Sequence, residues 1–142
     1  MVAFHVAFKQ INDTHGHLVG DTVLREISER LQGSVRTYDF IGRYGGEEFL
    51  IIIPSCNPPD IKVGAERLRL AIANKPVETS AGPIPCTISI GVASAPMAED
   101  GISELEALLK VSDEALYRAK DNGRNRVEIA LATRGAAAAG AM

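Results

Sequence analysis

Apolar side chains occupy every second position at the start of the chain: Val2, Phe4, Val6 and Phe8 alternate with Ala3, His5 and Ala7. This period of two predicts a strand from Met1 to Phe8. Lys9 to Asp13 reads as a short helical turn and the stretch from Thr14 to His17 as a loop. The period then changes. Val23, Leu24, Ile27 and Leu31 share one helical face, which predicts a helix from Asp21 to Gln32 with Asp21 as its N-cap. Two strand-like runs, Asp39 to Tyr44 and Glu47 to Ile53, flank Gly45-Gly46 and predict a hairpin closed by Pro54. The unbroken apolar run from Phe49 to Ile53 suits a central strand buried on both faces.

After the Pro58-Pro59 break, Asp60 to Asn74 reads as a helix that turns Val63, Leu68, Ala71 and Ile72 inward, and Cys86 to Ala93 as a further strand. Ser103 and Glu106 have the spacing of a capping box. The helix they open carries an inner stripe of Leu105, Leu108, Leu109, Ser112, Ala115, Leu116 and Ala119, and Gly123 ends it. Asn125 to Ala130 is the last strand. The order β-α-α-β-β-α-β-α-β, without repeats, predicts an α+β fold, an α/β sandwich with a central mixed sheet of about five strands flanked by helices. One domain is expected over residues 1–131. Residues 132–142 are rich in Ala and Gly, with too little apolar bulk to pack, and are expected to form a flexible tail.

Composition narrows the function classes. A chain of 142 residues, 46% hydrophobic and 23% charged, is long enough to bury one ordinary core. Its net charge of −3 exerts no global pull on DNA, RNA or an anionic membrane, so any phosphate must be held by local cations. The longest strongly apolar stretch is far too short to span a bilayer, and no basic region precedes an apolar one at the N-terminus. The expectation is a soluble cytoplasmic domain without membrane insertion. Cys56 and Cys86 lack metal-ligand spacing and read as free thiols, while His15 and His17, two apart in a turn with no thiolate partner, read as loop residues.

The diglycine hairpin admits two readings. Gly-Gly is a common hairpin loop, which would make Glu47 and Glu48 solvated neighbours of a turn. Equally, glycines let a phosphate approach the backbone, and adjacent carboxylates offer hard oxygen ligands to Mg²⁺.

Other segments weigh on that choice. In order along the chain stand Phe8-Lys9-Gln10-Ile11-Asn12-Asp13-Thr14-His15-Gly16-His17, Gly20-Asp21, Arg43-Tyr44-Gly45-Gly46-Glu47-Glu48-Phe49, Ile88-Ser89-Ile90-Gly91-Val92, Ala115-Leu116-Tyr117-Arg118-Ala119-Lys120 and Gly123-Arg124-Asn125-Arg126. Together they resemble the GGDEF domain of the diguanylate cyclase family, in its GGEEF form, from about Phe8 to Val127. The resemblance implies a fold like the palm of nucleotidyl cyclases and polymerases. It also implies a reaction that joins two GTP into cyclic di-GMP with release of two pyrophosphates across a homodimer.

By the same resemblance, Asn12 and Asp21 bind guanine, Gly45 and Gly46 admit the nucleotide, and Lys120 and Arg124 hold the triphosphate. Glu47 and Glu48 ligate Mg²⁺ (or Mn²⁺), Glu48 with a further option of helping to activate the 3′-hydroxyl. Helix capping for Asp21 and a solvated basic face for Lys120 and Arg124 are the competing roles. Lys9 is read as an exposed base. Arg36-Thr37-Tyr38-Asp39 matches the family's RxxD product-inhibition motif, with Arg67 as an additional arginine.

The chain departs from the family in two places. The first strand of the family ends in D-x-D-x-F-K; here Phe4 and Val6 stand in place of its aspartates, the first of which is a metal ligand. An apolar ring beside the triphosphate cannot replace a carboxylate, and losing ~3 kcal/mol of transition-state stabilisation slows turnover by roughly two orders of magnitude. Impaired cyclase activity is therefore expected, with a degenerate domain that binds cyclic di-GMP at the RxxD motif, or GTP, as the alternative. The family's helix before the first strand, with its D-x-L-T-x-L-x-N-R segment, is also absent, which implies uncovered apolar surface and either self-association or a piece of a longer regulated protein.

Overall fold

The computed structural model describes residues 1–9, 16–54, 56–94 and 101–131; of 101–104 and 131 it describes the backbone alone. A strand from Val2 to Phe8 (β1) lies at the centre of a five-stranded sheet. It pairs antiparallel on one side with Glu48–Ile53 (β3), with Ala7 opposite Glu48 and Val2 opposite Ile53. On the other side it pairs antiparallel with Ile88–Ser94 (β6), with Phe4 opposite Val92. Phe40–Arg43 (β2) extends the sheet beyond β3, and Val127–Leu131 (β7) runs parallel to β6 at the far edge. The order β2-β3-β1-β6-β7 is the mixed sheet expected from the element pattern.

Two helices, His17–Ser34 (α1) and Pro58–Ala73 (α2), cover one face, and Gly101–Asp121 (α3) covers the other. Strand alternation distributes β1 between them. Phe4, Val6 and Phe8 join Val23, Ile27 and Leu31 of α1 and Ile61, Leu68 and Ile72 of α2 in the main core. Each such side chain removed from water contributes roughly 1.5–3 kcal/mol. The α3 side is lined with small residues: Ala3, Ala93 and Leu108 form a second cluster, against which Leu50, Ile52 and Val111 pack. Gly91 explains the close fit there. A Cβ at this position would lie 2.2 Å from both the Ser112 carbonyl oxygen and the Leu116 amide nitrogen.

Several expectations change. The α1 helix starts a turn early, with Gly16 (φ 86°) as N-cap and no side-chain cap, so Asp21 is an exposed residue inside the helix. The i, i+4 run Val19, Val23, Ile27, Leu31, all buried, carries that earlier start. The signature turn is longer than two residues, because the amides of Tyr44 and Gly45 both donate to the Glu48 carbonyl. Strand β3 buries only Phe49, Ile51 and Ile53, and Leu50 and Ile52 stay half-buried because β3 lies one strand from the sheet edge. The strands enclosed on both faces are β1 and β6.

In α2, Val63 is 65% exposed, and the buried stripe is Ile61, Ala65, Leu68 and Ile72. Leu105 of α3 is likewise exposed. A small hairpin, Val77–Thr79 (β4) and Gly82–Ile84 (β5), had no counterpart in the periodicity. Thr79 Oγ1 closes its turn by accepting from the Ala81 amide (3.1 Å) and donating to the Gly82 carbonyl (2.8 Å). Lys9 is exposed, as read. The helical turn after Lys9, Asn12 and the tail lie outside the described residues, whereas Ser103, expected to cap α3, sits inside that helix, which begins at Gly101.

Candidate functional site

The signature turn is held from its own first residue. Arg43 Nε donates to the Gly45 carbonyl (3.1 Å) and its terminal nitrogen to the Gly46 carbonyl (2.9 Å), so the guanidinium folds back over the two glycines. The main chain of Glu47 is tied to the end of β1, its carbonyl accepting from the Phe8 amide (3.1 Å). Adjacent backbone and side-chain bonds thus fix the turn that presents Gly45, Gly46, Glu47 and Glu48.

Glu48 opens β3 on the α3 side of the sheet. Its Oε1 lies 3.5 Å from Lys120 Nζ, both side chains about a quarter exposed. Lys120 therefore turns back onto the signature carboxylate instead of standing on a solvated face. Beyond it the helix unwinds through three consecutive left-handed residues, Gly123, Arg124 and Asn125, and the Arg124 amide closes on the Ala119 carbonyl (2.9 Å). Arg124 is half-buried at this helix end.

The residue of β1 that faces Glu48 is His5, not Phe4. Strand alternation turns Phe4 into the core beneath α1 and α2, where its ring comes against Gly64, and turns His5 toward α3. The apolar ring expected beside the signature carboxylates therefore lies on the opposite face of the sheet from Glu48. His5 is 2% exposed; its Nε2 lies 3.7 Å from Glu48 Oε2 and its Nδ1 3.7 Å from Asp113 Oδ1 on α3. The Tyr44 ring stands edge-on to the imidazole, with centroids 5.1 Å apart. At those distances neither carboxylate makes a hydrogen bond to the ring. Burial holds the imidazole pKa below its ordinary 6.5, and the attraction of Glu48 and Asp113 only partly offsets it. The ring is therefore neutral at pH 7, and the close pairs are not full ion pairs. Sequence reading passed over His5 and Asp113; their only signals were a polar residue within an apolar alternation and a position one turn before Leu116 on α3.

Asp21 faces a different space. It lines a cleft of about 410 Å³ between α1 and the hairpin, walled by Leu24, Ile41 and Phe49 and reaching Arg43. Through Arg43 the cleft adjoins the signature turn, an arrangement of one carboxylate against apolar walls that suits a planar polar ring.

Arg36, Asp39 and Arg67 come together in a separate hollow of about 290 Å³, with Phe4 among its walls. The Arg36 amide donates to Asp39 Oδ2 (2.9 Å), and the Arg36 guanidinium lies 4.8 Å over the Tyr38 ring. Asp39 Oδ1 is enclosed and accepts no hydrogen bond.

Among the described residues, the His, Cys, Asp and Glu side chains grouped closely enough to hold a metal are His5, Glu48 and Asp113, with ligand atoms within 4.8 Å of one another. Glu47 is not in this group. Two carboxylates on the signature turn nevertheless match the donor chemistry of Mg²⁺, whose protein share is commonly one or two carboxylates beside substrate phosphates. Among the described residues no helix is long and apolar enough to cross a membrane.

Comparison with known proteins follows the same residues. Residues 2–126 match the family model described as "Diguanylate cyclase, GGDEF domain". The chain is 47% identical over 122 residues to the response regulator PleD of Caulobacter vibrioides, an alignment covering 84% of this chain and 26% of that protein. It thus spans about a quarter of the length of that curated relative. Among solved structures it resembles the GGDEF domain of DgcB from Caulobacter crescentus in complex with c-di-GMP, with a TM-score of 0.79 and 28% identity over 90% of this chain and 76% of that one. The active GGEEF domain of a diguanylate cyclase from Vibrio cholerae gives a TM-score of 0.77 and 31% identity over 90% and 81%.

Proposed function

Because the chain belongs to the GGDEF diguanylate cyclase family, we propose that it is a diguanylate cyclase-type domain that condenses two GTP into cyclic di-GMP, with impaired turnover. The observation that carries this reading is the Arg43-clasped turn with Glu48 against Lys120, reached from the Asp21 cleft.

In this reading Asp21, with Asn12, binds the guanine edge, the carboxylate accepting from the ring N–H and amino group. Gly45 and Gly46 let the phosphates approach the main chain. Lys120 and Arg124 neutralise the triphosphate, Lys120 exchanging Glu48 for phosphate oxygens. Glu47 and Glu48 would hold Mg²⁺ or Mn²⁺, which when bound polarises the α-phosphate and offsets the triphosphate charge. In each half-reaction the 3′-oxygen of one GTP attacks the α-phosphate of the GTP on a facing copy. The new P–O bond forms as the bond to pyrophosphate breaks, and the hydroxyl proton leaves to a base. Two such steps need two copies of the domain, so a homodimer is part of the proposal. Reduced turnover follows from β1 itself, which offers no carboxylate on the Glu48 face, only Ala3, His5 and Ala7.

The test is incubation with GTP and Mg²⁺ across a range of protein concentrations, with chromatographic detection of product. Slow cyclic di-GMP formation with a rate per protein that rises with protein concentration is expected; none at any concentration would sink the cyclase reading. A second reading, a sensor of cyclic di-GMP, is favoured by one observation: Arg36, Asp39 and Arg67 share a hollow in which Asp39 Oδ1 lacks a partner. Calorimetry with cyclic di-GMP tests it, and affinity unchanged in Arg36→Ala would count against it.

A further inference from the structure

The α3 side of β1 carries one polar side chain among small apolar ones, and that side chain is enclosed. His5 is 2% exposed, and neither Nδ1 nor Nε2 has a hydrogen-bond partner. A buried polar group in that condition is uncommon and calls for an occupant between it and its neighbours. Both of its nitrogens are aimed at carboxylates, Nε2 at Glu48 Oε2 and Nδ1 at Asp113 Oδ1, each at 3.7 Å.

That spacing is too long for a hydrogen bond and close to what one metal ion requires. Two ligands each ~2.0–2.1 Å from a tetrahedral ion stand roughly 3.4 Å apart, so the Nε2···Oε2 gap has to close by only about 0.3 Å. One ring nitrogen can take an ion only if the other keeps its proton. Asp113 Oδ1 stands opposite Nδ1 to receive that proton, the carboxylate–histidine–metal arrangement that fixes a ligating ring. Glu48 Oε1 faces Lys120 and leaves Oε2 for the ion. Asp113 is 68% exposed and Glu48 25%, so water can reach the remaining coordination positions and an ion can enter.

The geometry points to a binding site for a divalent first-row transition ion, Zn²⁺ as the probe, ligated by His5 Nε2 and Glu48 Oε2 with Asp113 orienting the imidazole. An imidazole nitrogen selects such ions over Mg²⁺ and Ca²⁺, which take oxygen ligands. The site requires neither nucleotide nor turnover. A corollary that rests on the proposed function is competition, since a Zn²⁺ ion here and a magnesium triphosphate would both draw on Glu48.

The full chain, stripped of metal and free of nucleotide, is titrated with Zn²⁺ by calorimetry and with Co²⁺ by visible absorption. The expected result is one equivalent taken up, a Co²⁺ spectrum of low coordination number, and retention against a large excess of Mg²⁺. His5→Gln and Glu48→Gln should each abolish uptake, and Asp113→Asn should weaken it by about 10–100-fold. His17→Asn, an exposed position, should leave it unchanged. Uptake absent up to about 1 mM Zn²⁺ overturns the site. So does affinity unaltered in Asp113→Asn, or affinity lost in His17→Asn. Should His5→Gln fail to fold, as circular dichroism would show, Asp113→Asn decides alone, since its side chain is largely in solvent. Absent cyclase activity with intact Zn²⁺ uptake would leave this site standing and remove the cyclase reading, and the converse holds equally.

Discussion

Phe4 and His5 are neighbours in sequence and belong to different faces of the sheet. Phe4→Asp, the change that would restore the family pattern, places a carboxylate in the α1/α2 core against Gly64. The expected outcome is a loss of about 3–5 kcal/mol in urea unfolding and no gain in cyclic di-GMP production. His5→Asp puts the new carboxylate on the Glu48 face of the sheet, where His5 Nε2 now lies 3.7 Å from Glu48 Oε2, and is expected to raise production severalfold in the same chromatographic assay. Gly91 gives a second residue-scale prediction. With backbone atoms of Ser112 and Leu116 at 2.2 Å from an added methyl, Gly91→Ala must push α3 off β6 and cost about 3 kcal/mol, read from the denaturation midpoint. Cys86 supplies a pH effect. Burial pushes its thiol above the ordinary 9.0, so it stays protonated and should alkylate more slowly at pH 8 than a free thiol. In the unfolded chain the thiol ionises first, so the stability linked to this shift is present below pH 9 and lost as pH rises through the folded pKa. Cys86→Ala should flatten that alkaline decline in unfolding free energy.

At the scale of elements, α1 and α2 are joined by one arginine. Arg30 donates to the carbonyls of Lys75 (2.6 Å) and Pro76 (3.0 Å), with longer contacts to Ile72 and Ala71, and is itself held by Glu26 (3.1 Å). These carbonyls close the C-terminal end of α2, which has no basic residue of its own in its last turn. Arg30→Ala is expected to cost about 1–3 kcal/mol, seen as a lower urea midpoint with unchanged slope. The apolar period of α1 does not mark Arg30, because helical position says nothing about a long side chain reaching a neighbouring element. The same limit explains β4 and β5. Strands of three residues, one containing Pro83, carry no readable alternation. The long elements β1, β6 and α3 were legible because their apolar periods run over many residues, whereas the start of α1 was misplaced by the attraction of Asp21 as a cap.

The whole molecule sets which residues can act together. The five-stranded order brings β1 between β3 and β6, so the turn at Glu48, the histidine of β1 and the end of α3 meet at one edge of a face, while Arg36, Asp39 and Arg67 gather on the other. A prediction belongs to this scale: under the proposed reaction, which takes two facing copies for each product, dilution should reduce specific cyclase activity, and sedimentation in the presence of GTP and Mg²⁺ should show dimer where activity is highest.

The amino-acid sequence by itself determined the α+β class, the five long strands and the signature turn, since these rest on local period and turn chemistry. It also marked Glu47, Glu48, Lys120 and Arg124 as candidates, through the resemblance of their segments to the family's motifs. Only the tertiary structure decided that Lys120 meets Glu48, that Asp21 belongs to a cleft instead of a cap, and that His5 and not Phe4 shares the carboxylate's face. The reason is physical: sidedness in a strand depends on register with its neighbours and on which helix covers each face, and no residue carries that information in its own identity.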